Sequence, residues 1–345
     1  MFFKLLKDKS RGMFPNPTSA LIQRCLLFIA PAVICGCSEE ISIHENSSHL
    51  SKNIHFSGIR QNSSGESTLD IFAFEDDIFR RLDSYQRLEY LIDDTAAISS
   101  TGGEKIFFFC MNSGRNRYEW SDICSYASLK DIYCELEDEE PSRYTMTAEA
   151  TVTSGERNVE IELKPLACKV SIKALGCDFS GTPYASASLK GIRIYMINVS
   201  ASCPILCTES YHPVRIINSG MLDYDDLKKF RDPDIIYKNV GKEIFMNTIY
   251  PDICFLCYPN SPVEESPGSP YTRLVIEGNI DSETYYWPIT INPVEGMQRG
   301  YKYTYDILIR RKGVTDPDIT IDLSNDEIKL TIKPWIEKDD YTVGF

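Results

Sequence analysis

Apolar and polar residues alternate with a period of two along most of the chain. In Thr68 to Phe74, Leu69, Ile71 and Ala73 face one way while Asp70, Phe72 and Phe74 face the other. This is the period of a β-strand, whose successive side chains point to opposite faces. Ile106 to Met111 is short and continuously apolar, the pattern of a central strand. Tyr144 to Thr153 and Asn158 to Leu163 alternate again, with a turn at Ser154-Gly155-Glu156-Arg157. Further on, Cys168, Val170, Ile172 and Ala174 alternate with Lys169, Ser171 and Lys173, and Ile192, Ile194 and Met196 alternate with Arg193 and Tyr195. Arg273 to Ile280 and Thr284 to Ile291 predict a hairpin around Asp281-Ser282. Tyr301, Tyr303, Tyr305, Ile307 and Ile309 form the cleanest strand, and Ile328, Leu330 and Ile332 another. Asn53 to Ile59 is one possible strand in the polar stretch 38–66, and Tyr341, Val343 and Phe345 alternate at the very end. A helical period is scarce. Leu222 to Phe230 predicts one short helix, and Ser121 to Glu140 has room for another with Ile123, Ala127 and Cys134 inward. The class is all-β, built of antiparallel strands in sandwich domains. A composition shift near Pro165 divides the chain into 37–165 and 166–345.

The N-terminus follows a different pattern. Lys4, Lys7, Lys9, Arg11 and Arg24 make it basic, and Cys25 to Cys35 is an apolar core of 11 residues. A membrane-spanning helix needs about 20 apolar residues, so this segment suits a cleaved signal better than an anchor or a buried helix. Met13 is an alternative start. The segment ends Ile34-Cys35-Gly36-Cys37, an apolar residue and two small ones before the cysteine that takes a lipid. Residues 1–36 therefore read as a lipoprotein signal peptide, and the mature chain begins at an acylated Cys37. Each buried methylene of its acyl chains adds about 0.8 kcal/mol to membrane binding. Ser38-Glu39-Glu40 resembles the acidic tag that sends some Bacteroidota-type lipoproteins to the outer face of the outer membrane.

Charge narrows the partners. The 345 residues carry a formal charge of −14, and removing residues 1–36, with five basic residues and one acidic, leaves −18. Such a surface repels nucleic acid and anionic lipid. The twelve cysteines include Cys25, Cys35 and Cys37, so nine remain in the mature chain beyond its lipid site, an odd number with no disulfide framework in its spacings. Cys254 and Cys257 lie three apart in a strand-like run. They point to opposite faces there and cannot chelate one ion, so no metal or cofactor is expected. Cys203 and Cys207 flank Pro204, a spacing compatible with a small disulfide loop.

No catalytic constellation is evident. His44, His49 and His55 lie in the polar N-terminal stretch, and His212 stands beside Pro213. Nucleophile-elbow, metalloprotease and phosphate-loop motifs are missing. Acidic pairs such as Asp76-Asp77, Asp225-Asp226 and Asp339-Asp340 suit turns and strand ends better than glycoside hydrolysis. Trp120, Tyr285, Tyr286 and Trp287 could stack on sugars, but core packing explains most of them.

Several segments together resemble the Bacteroidota-type fimbrillin family of lipoprotein pilus subunits and their anchor and tip relatives. Thr68 to Leu88 (TLDIFAFEDDIFRRLDSYQRL) resembles the family's first core strand and the stretch after it, and Ile106 to Asn112 its aromatic strand ending in Asn. Tyr144 to Val152 is similar to a Met-Ser/Thr-Gly segment, with Ala148 in place of glycine. Leu163 to Val170 is similar to a Leu-x-Arg-x-x-Ala-Lys-Val strand, with Pro165 in place of arginine. Gln298 to Gly313 is similar to an Arg-Asn-x-x-Tyr strand, with Gly300 in place of asparagine, and Ile332 to Trp335 to a closing strand.

The resemblance implies two transthyretin-like β-sandwich domains and a non-enzymatic pilus subunit serving adhesion, in contact with other subunits and with a host or bacterial surface receptor. It also implies assembly by strand exchange: a trypsin-like protease cuts after Arg or Lys, the first strand leaves, and a strand from the next subunit fills the groove. Mapped onto this chain, Asn53 to Ile59 is the removable strand and Arg60 the cut site, with Arg80-Arg81 a weaker candidate. Tyr341, Val343 and Phe345 are the donor-strand candidates, or equally the last strand of their own domain. The competing expectation is a glycan-binding outer-membrane lipoprotein that never polymerises, whose signature is a cluster of exposed aromatics on one sheet face.

Overall fold

Strands set the architecture throughout. The computed structural model describes residues 52–58, 67–89, 91, 94–207, 211, 213–245, 250–262, 264–266, 268–321 and 327–335. Among the described residues nine strands lie before residue 166: β1 (Lys52–Ser57), β2 (Leu69–Glu75), β3 (Leu82–Leu88), β4 (Ala96–Ser100), β5 (Lys105–Met111), β6 (Tyr133–Glu135), β7 (Met146–Val152), β8 (Asn158–Glu160) and β9 (Lys164–Pro165). Eleven follow: β10 (Cys168–Cys177), β11 (Lys190–Ile197), β12 (Val199–Ser200), β13 (Ser202–Pro204), β14 (Ile216–Ile217), β15 (Tyr237–Asn239), β16 (Tyr250–Cys257), β17 (Arg273–Ile280), β18 (Glu283–Thr290), β19 (Tyr301–Ile309) and β20 (Ile328–Pro334).

The earlier strands form a five-stranded sheet, β3-β2-β5-β7-β9, and a three-stranded one, β4-β1-β8. The apolar run IFFFCM lies in β5, between β2 and β7, and all seven residues of that strand are buried. Its faces have different neighbours. Phe108 meets Phe72, which also packs edge-on to Trp120 at 5.1 Å, while Phe107 and Phe109 pack against Phe56 of the smaller sheet. The charged groups caught in this layer are paired, as burial requires. Lys105, 1% exposed at its side chain, reaches Glu75 at 2.7 Å and Asp83 at 3.4 Å. Asp70 accepts from Tyr85 at 2.7 Å and pairs with Arg87 at 3.2 Å.

The later strands form two four-stranded sheets, β16-β10-β19-β20 and β15-β11-β17-β18. The predicted hairpin is β17–β18, turning at Asp281 (φ 52°) and Ser282 (φ 73°). In β19, Tyr303, Tyr305, Ile307 and Ile309 are buried as alternation requires. Two pairings depart from the antiparallel expectation, since β10 runs parallel to β19 and β1 parallel to β8. The Ser154–Arg157 turn therefore links β7 to a strand of the other sheet. The predicted Leu222–Phe230 helix is a single turn, α1 (Tyr224–Leu227), capped by the Asp223 carboxylate on the Asp225 amide. In 121–140 short 3-10 turns replace the expected helix, with Leu129 buried and Ala127 exposed.

Most buried apolar residues of both sets join one cluster, with Tyr195, Ile197 and Val275 in a second, smaller one, and further contacts tie the sets together. Strand β6 pairs with β13. Trp335, just after β20, stacks on Tyr144 at 4.2 Å. Arg299 donates to the carbonyls of Pro165, Lys164, Thr147 and Cys207 and to the Thr147 hydroxyl. Glu139 accepts from the Thr145 amide and the Tyr258 hydroxyl, each at 2.8 Å.

Burial pushes the Glu139 carboxyl up to about 7, more than those two hydrogen bonds lower it. A carboxyl raised above its unfolded value of 4.5 binds protons more tightly in the folded chain. Its stabilising contribution is full below pH 4.5 and lost as pH rises through 7. Urea unfolding of the wild type is expected to lose up to about 3 kcal/mol from this group across that window. Glu139→Gln keeps the bonding capacity and is expected to flatten that slope; equal slopes would show that Glu139 does not titrate there.

Candidate functional site

The sequence-derived sites fall at the chain's two ends, and Cys37, Arg60, Tyr341, Val343 and Phe345 all lie outside the described residues. So do His44, His49 and His212. What the structure describes is the strand expected to be exchanged. It is β1, over Lys52–Ser57.

β1 is the central strand of its sheet. On one side it pairs antiparallel with β4, Ile54 opposite Ile98 and Phe56 opposite Ala96. On the other it pairs parallel with β8, Phe56 opposite Val159. Its alternation is strict: Asn53 and His55 are exposed, while Ile54 and Phe56 are each 1% exposed. Phe56 lies 5.0 Å from the Phe107 ring and 4.7 Å, edge-on, from the Phe109 ring. Burying a side chain of this size stabilises by about 1.5–3 kcal/mol. The backbone is bonded on both edges, as when the His55 amide donates to the Arg157 carbonyl at 2.7 Å. Without β1, unpaired edges of β4 and β8 would flank an aromatic floor, the kind of edge that recruits another strand.

Gly58 ends the strand at φ +81°, and a Cβ there would come within 2.6 Å of the Ile161 carbonyl oxygen. Only glycine fits both the conformation and the space. Of the flanking strands, Ala96–Ser100 was not legible because it is short and small-sided; Asn158–Glu160 falls within the predicted Asn158–Leu163, but its parallel pairing with β1, about a hundred residues away along the chain, was not foreseen.

Asp339 and Asp340 lie outside the described residues, and the candidates within them have structural roles. Asp77 accepts from the Phe79 and Arg80 amides in the β2–β3 turn, and Asp225 and Asp226 pair with Lys228 and Lys229. Of the four aromatics considered for sugar stacking, Trp120, Tyr285 and Trp287 are buried and only Tyr286 is half-exposed. Trp120 lines an apolar groove of about 290 Å³ with Phe72, Leu82, Tyr85 and Ile123. No group of three or more metal-ligating side chains gathers among the described residues, and no described helix is long and apolar enough to cross a membrane.

No family model matches the sequence, and no curated protein matches it. Solved structures do. A fimbrilin from Porphyromonas gingivalis W83 is similar at a TM-score of 0.56 and 11% identity, covering 83% of this chain and 97% of its own. A proposed cell adhesion protein from Bacteroides eggerthii DSM 20697 is similar at 0.60 and 12%, covering 83% and 96%. A tip fimbrial protein from Porphyromonas gingivalis, truncated at its C-terminus, is similar at 0.50 and 11%, covering 82% and 100%. At these identities the likeness establishes the fold, which this chain shares with fimbrial and adhesion proteins.

Removing one ring from the β1 seat should be costly. Phe56→Ala is expected to lower the unfolding free energy by about 3–5 kcal/mol, read by urea denaturation. A loss below 1 kcal/mol, the scale of a surface substitution, would mean that β1 is not seated in the core.

Proposed function

We propose that this chain is a non-enzymatic, surface-exposed fimbrial subunit, structural or accessory, that assembles by exchange of its first strand and serves adhesion. The observation that carries the reading is the seat of β1. A strand with one apolar face, Ile54 and Phe56, fills the centre of a sheet, and a short segment containing Arg60 joins it to everything that follows. A cut after Arg60 would leave β1 attached by noncovalent contacts alone. The fold shared with a fimbrilin and a tip fimbrial protein supports the same reading.

The remaining parts follow from this proposal. Cys37 carries a lipid that holds the precursor to the outer membrane, and the cut after Arg60 releases the subunit from it. The two sets of sheets, 37–165 and 166–345, act as two sandwich domains. Tyr341, Val343 and Phe345 repeat the every-second-residue apolar spacing of Ile54 and Phe56, which suits them to the vacated seat of a neighbouring subunit. Partners are other pilus subunits and a surface receptor. The burial of Trp120, Tyr285 and Trp287 weighs against a glycan-binding sheet face.

Two experiments test this. Mass spectrometry of protein from native fibres is expected to show a mature N-terminus at Gln61; a start at an acylated Cys37 would overturn processing at Arg60. Deleting residues 339–345 is expected to leave a folded subunit, by circular dichroism, that no longer polymerises. Intact polymers would rule out donation by the C-terminal segment.

A further inference from the structure

The turn between β2 and β3 holds two apolar side chains out in solvent. Ile78 is 96% exposed and Phe79 72%. The turn is firmly held. The Asp77 carboxylate accepts from the Phe79 amide at 2.9 Å and from the Arg80 amide at 2.7 Å. Arg80 sits at φ 46°, a left-handed conformation that costs any residue with a Cβ. The base of the turn is tied to the 121–126 segment. The Tyr126 amide donates to the Arg80 carbonyl and the Leu82 amide to the Cys124 carbonyl, each at 2.9 Å. A fixed and exposed isoleucine–phenylalanine pair is a surface that association would bury.

The same segment contributes to the apolar groove beside Trp120. Phe72, Tyr85 and Trp120 bring aromatic rings to it, with the Phe72 centroid 4.9 Å from Tyr85 and 5.1 Å from Trp120. Leu82 and Ile123 complete its apolar lining, and the exposed Arg117 and Ser121 add polar groups. A cavity of about 150 Å³ accepts a benzene ring. The groove, at about 290 Å³, has room for the Phe79 ring and more. Phe79 stands in solvent, so it does not fill the groove of its own chain.

Charge follows the same match. The turn carries exposed Asp76 before its apolar pair and exposed Arg81 after it. The groove segment carries exposed Arg117, then Glu119 and Asp122. Each sign on the turn has its opposite beside the groove. Turn and groove therefore agree in apolar character, size and charge, and Leu82 joins them as neighbours on one chain. A surface that carries both a knob and the hole that fits it meets the requirement of an isologous contact.

We propose that this face binds a second copy of the chain about a two-fold axis, with Phe79 of each copy in the Trp120 groove of the other and Asp76 beside the other copy's Arg117. The contact uses neither β1 nor the chain ends, so it goes beyond strand exchange and is open to the uncut chain. Aromatic and arginine side chains at the centre of a contact carry most of its affinity, so single substitutions report on it.

The test is sedimentation velocity of the purified full chain in reducing buffer, which keeps the exposed Cys124 from cross-linking copies. Intact mass confirms that the chain is uncut, which separates this contact from strand exchange. The wild type is expected to show a concentration-dependent equilibrium between monomer and dimer that stops at two. Phe79→Ser and Arg117→Glu are each expected to weaken dimerisation about tenfold or more. Both side chains are exposed, so thermal unfolding should not change. Adding Asp76→Arg to Arg117→Glu is expected to restore most of the affinity. An equal mixture of the two single variants should dimerise more tightly than either alone, because one intact knob then meets one intact groove. A monomer at every concentration, a dimer unaffected by either variant, a charge swap no tighter than Arg117→Glu alone, or growth into open-ended oligomers would overturn the proposal.

Discussion

The seating of Phe56 against Phe107 and Phe109 is the contact on which the first set of sheets depends. β5 is buried on both faces, and its two outer rings on one face are met by a single ring from β1. A close-packed interior does not tolerate the loss of such a ring without collapse or replacement. β1 is therefore needed for stability, and its removal would open a site in the sheet. The site vacated is apolar, is flanked by two unpaired edges, and imposes a two-residue period on whatever fills it.

The contacts between the two sets of sheets have a different character. Beside the shared apolar cluster they include polar bonds, Glu139 under the Tyr258 hydroxyl and Arg299 among carbonyls, and the aromatic contact of Trp335 with Tyr144. Bonds of this kind fix geometry more than they add net stability, because desolvation offsets most of the gain. These clamps provide directional bonds between the two sets of sheets. They also make the region sensitive to pH through Glu139.

Much of this was legible along the chain, for identifiable reasons. β5, β17–β18 and β19 carry long, clean patterns, and their period and turn residues placed them within a residue or two. β4 failed to register because Ala96, Ala97, Ser99 and Ser100 are small and weakly patterned. The partner of β1 was hidden because parallel pairing of Phe56 with Val159 leaves no local trace, unlike a hairpin. The 121–140 segment has apolar residues at nearly helical spacing, but tertiary bonds, such as the Leu136 amide to the Ala201 carbonyl, favoured short turns and a strand. The Arg299 site was invisible, since four of its five acceptors are backbone oxygens and the sequence of a neutral carbonyl carries no signal. The terminal sites were legible only as motifs and lie outside the described residues.

The central claim is that β1 is exchanged, and the structure of the assembled fibre tests it most directly. The account predicts that, in a fibre reconstructed by electron cryomicroscopy, the strand between β4 and β8 belongs to a neighbouring subunit, with apolar side chains in the seats of Ile54 and Phe56. A fibre in which residues 52–57 of the same subunit still occupy that position would contradict it.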